Sequence, residues 1–197
     1  MNNFKKLKAT LDACVLYPAP VRDLLLHLAE VGIYFPFWTT EINNEWVRNL
    51  LINRPDIKPK SLTLTVNAMN TAFPYANTIH YETLINSILL PDKNDRHVVA
   101  AAIKSNSTII ITQNIKDFPI LYLKAFGIDV QTPDSFISTQ INLHNTLVLK
   151  AFINQVKNLK HPPQTPIQVL STLEKNGLNK SVQKLRRALK GLLPPKD

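Results

Sequence analysis

The pattern of apolar and polar positions predicts five short strands. In LKATLDA, Leu7, Ala9 and Leu11 alternate with polar residues, which indicates a strand that ends at Asp12. The run STIIITQN, at residues 107–114, is typical of a buried strand because its apolar and β-branched residues are consecutive. Three further strands are predicted at residues 33–38 (IYFPFW), around residues 78–80 and at residues 128–132 (IDVQT).

Segments with helical spacing separate these strands. In residues 18–32, Val21, Leu24 and Leu28 share one face and Gly32 provides a stop. Thr39 or Thr40 can cap the next helix. Further helices are predicted at residues 62–72, 91–106, 119–127 and from 133 onward. Because strands and helices alternate with connections too long for hairpins, we predict a three-layer α/β/α fold around a parallel sheet of about five strands.

The net charge of +9 is unevenly distributed along the chain. Residues 1–144 hold 13 Lys and Arg against 12 acids, whereas residues 145–197 hold 10 against 2. We therefore predict two domains, a nearly neutral body at residues 1–144 and a basic extension at residues 145–197. Such an extension favours a polyanionic partner, although a solvated helix face accounts for the charge equally well.

The extension itself has the pattern of folded helices. Thr165 is a predicted cap, Pro166 suits a first helical position and Gly177 a stop, and a second amphipathic helix follows. The basic residues of that second helix that are candidates for contact with nucleic acid are Lys180, Lys184, Arg186 and Arg187.

Two observations restrict the class of protein. The single cysteine, Cys14, excludes a disulfide framework within the chain and a multi-cysteine zinc site, and it is in keeping with a cytoplasmic protein. No stretch approaches the roughly 18 consecutive apolar residues of a membrane span, so no membrane association is expected.

Four acidic residues come from separate segments that approach the carboxyl ends of the predicted strands. Asp12 ends the first strand and Asp117 follows the strand at residues 107–114. Asp95 opens the helix that leads into that strand, and Glu45, or Glu41 one turn before it, lies on the helix after the second strand. Parallel sheets bind ligands at this edge, so the four carboxylates are expected to share one crevice. Each acid taken alone is more typical of a cap, a turn or a solvated helix face, and only their joint placement at this edge favours a site.

A shared crevice of carboxylates would require a cation, because unpaired carboxylates at close range repel each other. Ligation by oxygen alone favours Mg²⁺ or Mn²⁺ over Zn²⁺, and such a site can activate water against a phosphoryl group. Four neighbouring residues are candidates for support of this site: Thr112, Asn114, Glu41 and Asp92.

Four strings, in this order, resemble PIN-domain proteins and in particular the VapC-type toxins of toxin–antitoxin pairs. They are TLDACVLYPAPVRDLLLHLA, TTEINNEWVRNL, LPDKNDRHVVAAAI and IIITQNIKDFP. The resemblance covers residues 7–140 approximately, and the basic tail is similar to the extension of a longer subgroup. It implies a metal-dependent endoribonuclease, held inactive by a cognate antitoxin, in a family in which homodimers are common.

The same resemblance implies roles for individual residues. Asp12, Asp95, Asp117 and Glu45 would be the catalytic, metal-holding acids, with Glu41 as the alternative register to Glu45. Cys14 departs from the family, where asparagine is common. Flanking phosphates of the RNA substrate would be bound by Arg96 or His97 together with the basic residues of the tail.

Other functions remain open on the residues alone. A phosphatase of the haloacid-dehalogenase type would need an acid where Cys14 stands, and a flap-type DNA nuclease would carry more acids and an inserted arch. A nucleophilic role for Cys14 would require a nearby base such as His27 or His97. The main alternative is a non-catalytic nucleic-acid-binding protein that uses its basic tail.

Overall fold

The computed structural model describes residues 7–190. Its four strands are β1 (Leu7–Leu11), β2 (Tyr34–Phe37), β3 (Ile109–Ile111) and β4 (Asp129–Gln131). They form one parallel sheet in the order β2-β1-β3-β4. The predicted α/β class with a parallel sheet is thus confirmed, with four strands instead of five.

The strand predicted around residues 78–80 does not form, which corrects the strand count. In its place an isolated parallel bridge joins Trp38 to Asn77, and Thr78 donates its amide to the Trp38 carbonyl at 2.8 Å. The backbone then turns at His80, which has a φ of 59°. Because a strand requires extended backbone, the left-handed conformation of His80 is incompatible with a strand through residues 78–80.

Ten α-helices are formed by the described residues. They are α1 (Ala13–Leu16), α2 (Ala19–Glu30), α3 (Thr40–Asn53), α4 (Pro59–Ala72), α5 (Glu82–Ile85), α6 (Arg96–Ser105), α7 (Ile120–Lys124), α8 (Pro133–Asn158), α9 (Pro166–Lys175) and α10 (Asn179–Lys190). Short 3₁₀ turns lie at Lys93–Asp95 and Ile115–Asp117. None of these helices is both long and apolar enough to cross a membrane.

The described chain divides into two compact units. The first contains the residues up to Tyr17 together with Tyr34–Gln131, and the second contains Pro18–Ile33 together with the residues from Thr132 onward. The first unit therefore holds the whole sheet. The domain boundary predicted between residues 144 and 145 coincides with His144, where the backbone of α8 leaves helical geometry, and it stays a prediction.

Within the first unit, the sheet and helix α6 form the core. The β3 residues are all buried, and the small and branched residues of α6 pack against β1, β2 and β3. Trp38 and Trp46 are fully buried, with their indole N–H groups donating to Asn70 and Asn43 at 2.9 Å. Both tryptophans are therefore core residues and not exposed platforms for stacking bases.

The second unit is helical. Helix α8 packs against α2 and α10, and Gln155 of α8 donates to the Pro20 carbonyl at 2.9 Å. The first turn of α10 is held by Asp134, which accepts from the amides of Lys180 and Ser181 at 3.0 and 2.8 Å and from the Ser181 hydroxyl at 2.7 Å. Asp134 therefore caps a helix that begins 45 residues further along the chain.

Candidate active site

The sheet order creates one switch point, between β1 and β3. The chain moves from β1 to its neighbour β2 on one side and from β3 to β4 on the other. Crevices at such a point, beyond the carboxyl ends of the strands, are the usual ligand sites of parallel sheets. Asp12 follows β1 directly, and Thr112 and Asn114 follow β3. Three of the predicted residues are therefore positioned by the topology itself.

Asp12 is held in a dense set of hydrogen bonds. It is only 4% exposed, and its Oδ1 accepts from the Ala13 amide at 2.6 Å. Its Oδ2 accepts from the Thr112 hydroxyl at 2.6 Å and from the Cys14 thiol at 3.0 Å. Burial raises the pKa of Asp12, and these donors act in the opposite direction by stabilising its charged form. The carboxylate is thus fixed in position at a cost in desolvation.

Cys14 and Thr112 connect the ends of the two central strands. The Cys14 sulfur lies 3.3 Å from the Thr112 hydroxyl and accepts from the Gln113 amide at 3.2 Å, and Thr112 accepts from the Asn114 amide at 3.0 Å. Burial, followed by the charge of Asp12, raises the pKa of Cys14 to about 12. Because a neutral thiol is a poor nucleophile, these contacts favour a positioning role for Cys14 over a nucleophilic one.

Asp95 has the clearest electrostatic signature of the predicted acids. It is half-buried at the N-terminus of α6, and its side chain makes no capping hydrogen bond there. Desolvation raises the pKa of Asp95 to about 7, with further contributions from four neighbouring carboxylates: Asp12, Asp92, Asp117 and Glu45. The charges of all the other predicted acids except Glu41 therefore act on the pKa of Asp95.

A crevice of about 960 Å³ contains most of these groups. The predicted residues that line it are Glu41, Glu45, Asp92, Asp95, Asn114 and Asp117. Asp12 is buried and is absent from this lining, but its charge contributes to the pKa of Asp95. The crevice also contains three side chains that can carry positive charge, Arg48, Lys93 and His97.

The two glutamates of α3 contact the same histidine. Thr39 caps α3 by accepting from the Ile42 amide at 3.0 Å, which sets the register of the helix. His97 Nδ1 lies 3.7 Å from Glu41 and its Nε2 lies 3.6 Å from Glu45. Burial opposes the charged imidazolium, but the two glutamates outweigh it and raise the pKa of His97. Of the two glutamates, only Glu45 contributes to the raised pKa values of Asp12 and Asp95. Glu45 is therefore the glutamate that interacts with the acid cluster.

The acids fit a hard divalent cation in their chemistry. Burial and then repulsion by neighbouring carboxylates raise the pKa of Asp95, and a cation among these carboxylates would relieve the repulsion. Within residues 7–190, no three His, Cys, Asp or Glu side chains are already grouped closely enough to hold a metal ion. The donors are therefore of the right type and gathered at one crevice, without forming a finished coordination shell.

The predicted phosphate-binding residues are differently placed. Arg96 is partly buried at the start of α6, and its Nε has no hydrogen-bond partner in the described chain. In α10, Lys184 donates to the Ser138 carbonyl and the Asn142 side chain, both at 2.9 Å, and Arg186 pairs with Glu174 at 2.9 Å. Lys180 and Arg187 are exposed on the same helix.

A smaller pocket of about 330 Å³ shares Glu45 and Asn114 with the crevice. Asn49, Asn53 and Tyr17 also line it. Asn49 and Asn53 are uncharged, so the distribution of acidic and basic residues along the sequence does not indicate them. The signal that could have found them is their spacing, four and eight residues after Glu45 on the same helix.

These features define the chain as an α/β protein with a carboxylate-rich crevice at the switch point of a parallel sheet. The PIN domain family model matches residues 8–116, more than half of the chain, and the chain therefore belongs to the PIN-domain family. A second model, the VapC50 C-terminal domain, matches residues 133–187. The similarity to VapC-type PIN-domain proteins with a C-terminal extension is thus confirmed.

A curated relative is described as "Putative ribonuclease VapC50" from Mycobacterium tuberculosis (strain ATCC 25618 / H37Rv). The two sequences are 33% identical over 111 residues, which is 56% of this chain and 63% of the relative. The matched region therefore spans less than two thirds of that protein. No solved structure matches the chain with significant similarity.

Proposed function

We propose that this protein is an endoribonuclease that depends on a divalent metal ion, Mg²⁺ or Mn²⁺, and acts as the toxin of a toxin–antitoxin pair. The observation that carries the proposal is the gathering of acids around Asp95 at the crevice. Burial raises the pKa of Asp95 to about 7, and the charges of the neighbouring acids contribute further. Acids with no catalytic or binding role would be expected to avoid such a cost. The relative named as a ribonuclease supports RNA as the substrate.

The metal would be held by Asp12, Asp95 and Asp117, with Glu45 completing the set or acting on water. When bound, such an ion supplies Lewis acidity toward a phosphodiester oxygen and toward water. The oxygen donors of the crevice suit Mg²⁺ or Mn²⁺ better than softer metals.

The chain's own residues would fix the geometry of the reaction. Asp12 is held by Thr112 and Cys14, so its carboxylate keeps one orientation. Glu45 is about one-third exposed on the crevice wall and is steadied by His97, which suits it to orient the attacking water for in-line displacement. Glu41 contacts the Tyr81 hydroxyl at 3.0 Å and is coupled to neither Asp12 nor Asp95, which favours Glu45 as the site acid.

RNA phosphates would be bound by cations whose side chains are available. Arg48 and Lys93 line the crevice itself. In the second unit, Lys150 and Lys157 line a separate concave surface together with Asn145 and Asn154. Because Lys184 and Arg186 are engaged by neighbouring groups, we expect Lys150 and Lys157 to contribute more to RNA affinity than those two.

The direct test is metal-dependent cleavage of RNA by the purified full-length chain. We expect cleavage with Mg²⁺ or Mn²⁺ and none with EDTA. Asp12→Asn and Asp95→Asn should each lower the rate by more than about 100-fold, since even outer-shell changes at metal sites cost about 10- to 100-fold. Asp56→Asn is the matched control, because Asp56 is an exposed acid that pairs with Arg54 away from the crevice.

Two outcomes would contradict the proposal. Cleavage by Asp12→Asn at the wild-type rate would show that the activity arises elsewhere. Binding of RNA with a steep salt dependence, but no cleavage with any divalent metal, would identify a nucleic-acid-binding protein instead.

The toxin assignment rests on the matches to both parts of the chain and has its own test. We expect a small protein encoded by the adjacent gene to co-purify with this chain and to suppress its cleavage of RNA. Size-exclusion chromatography of the same preparations would show whether the chain is a homodimer. We expect a cytoplasmic location, where RNA is available and where the thiol of Cys14 stays reduced.

A further inference from the structure

One face of α3 changes along its length from acidic to uncharged polar side chains. Glu41, Glu45, Asn49 and Asn53 are spaced by four residues, so they form a single row on the helix. The two glutamates belong to the crevice, and the two asparagines line the smaller pocket. Glu45 borders both, so the pocket is a direct continuation of the crevice along this row.

The lining of the smaller pocket does not suit an anion. No lysine or arginine of the described chain lines it, and Glu45 places a carboxylate on its wall. A phosphate would find no cationic side chain there, whereas the crevice, which has carboxylates of its own, also offers Arg48 and Lys93. The two pockets thus favour different parts of a bound polynucleotide, with phosphates toward the crevice and a neutral group in the smaller pocket.

The groups in the smaller pocket match a nucleobase. Each asparagine presents an amide donor and a carbonyl acceptor, which is the pair that base edges can bind. Tyr17 adds an aromatic ring on which a base can stack, and its hydroxyl accepts from Asn53 at 3.3 Å. A volume of about 330 Å³ is at the small end of ligand pockets, which suits one base better than a folded RNA element.

We propose that Asn49, Asn53 and Tyr17 form a subsite for one unpaired base of the RNA, next to the phosphodiester that is cut. This inference rests on the proposed ribonuclease function and gives that function a source of sequence preference. Asn49 and Asn53 would read the edge of the base, and Tyr17 would support its face. The preference would therefore depend on uncharged side chains outside the acid cluster.

The experiment uses a randomised single-stranded RNA library and two readouts. The full-length wild-type chain is given the library with Mg²⁺, and the cut ends are sequenced. In parallel, the library is selected for binding to the full-length Asp12→Asn variant. Asn49→Ala and Asn53→Ala are compared in both assays, with Asn67→Ala as the control, because Asn67 is exposed on α4 and lines neither pocket.

We expect a preference at one position beside the cut, and the same preference in binding. Each alanine variant should reduce it by about 10-fold to 100-fold, the usual discrimination given by a paired contact to a base edge. Asn49→Asp replaces a donor with an acceptor and should change which base is preferred. Asn67→Ala should leave the preference as in the wild type.

The outcomes separate this inference from the proposed function. Cleavage with an unchanged preference in Asn49→Ala and Asn53→Ala would overturn the subsite while leaving the ribonuclease in place. An absence of cleavage, combined with a binding preference that the variants lose, would support the subsite and overturn the ribonuclease. An absence of any base preference in both assays would overturn the subsite.

Discussion

Replacing Asp95 with asparagine should stabilise the metal-free protein while abolishing the proposed cleavage of RNA. The substitution keeps the size of the side chain but removes its charge from a position where four carboxylates act on it. Folding with an ionised Asp95 carries an electrostatic cost, because burial and these neighbours raise the pKa of Asp95 from 3.8 to about 7. The neutral variant does not incur that cost.

The magnitude follows from linkage between protonation and folding. The difference between 3.8 and about 7 corresponds to about 4 kcal/mol for a fully desolvated group. Asp95 is only half-buried, and solvent screening reduces such a value to about 1–2 kcal/mol. Because the raised pKa favours the protonated folded state, this destabilisation is absent below about pH 4, grows as the pH rises and is complete above about pH 7.

Chemical denaturation followed by tryptophan fluorescence measures this effect. Trp38 and Trp46 are the two tryptophans of the chain and both lie in the first unit, so their emission reports the unit that contains Asp95. At pH 8 with EDTA, we expect the free energy of unfolding of Asp95→Asn to exceed that of the wild type by about 1–2 kcal/mol. At pH 4 the two proteins should have the same stability.

Magnesium should reverse the order of stability. The wild type should gain stability with Mg²⁺, because an ion that binds only the folded state stabilises it by mass action, whereas Asp95→Asn should gain much less. Asp56→Asn is the control, since the exposed Asp56 has its pKa lowered by Arg54 and its loss should not stabilise the protein. Equal stabilities of the wild type and Asp95→Asn at pH 8 without metal would refute the repulsion among these acids.

Two further predictions concern hydrogen bonds in the two units. Thr112→Val removes a donor that lowers the pKa of Asp12, so the acidic limb of the pH profile of the proposed RNA cleavage should move to higher pH. An unchanged profile would contradict this. Asp134→Ala removes three bonds at the start of α10, including two to Ser181, and should cost about 1–2 kcal/mol. Hydrogen exchange of the α10 amides should then be about 5- to 30-fold faster than in the wild type. In the control variant Ser135→Ala, the exchange rate of these amides should be unchanged.

The local pattern was sufficient to predict elements with strong periodicity or clear caps. Strand β3 is a run of isoleucines, α3 starts after Thr39, and α9 has the predicted Thr165 cap with Pro166 in its first turn. These features depend on neighbouring residues only. The predicted strand near residues 78–80 was wrong because its fate depended on the left-handed backbone of His80, which local propensity does not specify.

The candidate site was partly predictable for the same reason. Acids at strand ends can be located from sequence once a parallel sheet is expected, and Asp12 and Asp117 are of this kind. The role of Asp134 in capping α10 could not be predicted, because its partners lie 46 and 47 residues away along the chain. Asn49 and Asn53 become candidate site residues only when the structure shows that Glu45 borders two adjoining pockets.

The second unit combines two segments that are far apart along the chain, and this has a consequence for synthesis of the protein on the ribosome. Helix α2 is made early, but its packing partner α8 begins at Pro133, after the whole of Tyr34–Gln131 has been translated. At usual elongation rates this leaves α2 without that partner for about 5 to 20 seconds. In a nascent or truncated chain that ends before α8, the apolar residues of α2 therefore lack this packing partner, so α8 is required to cover a helix that is made much earlier.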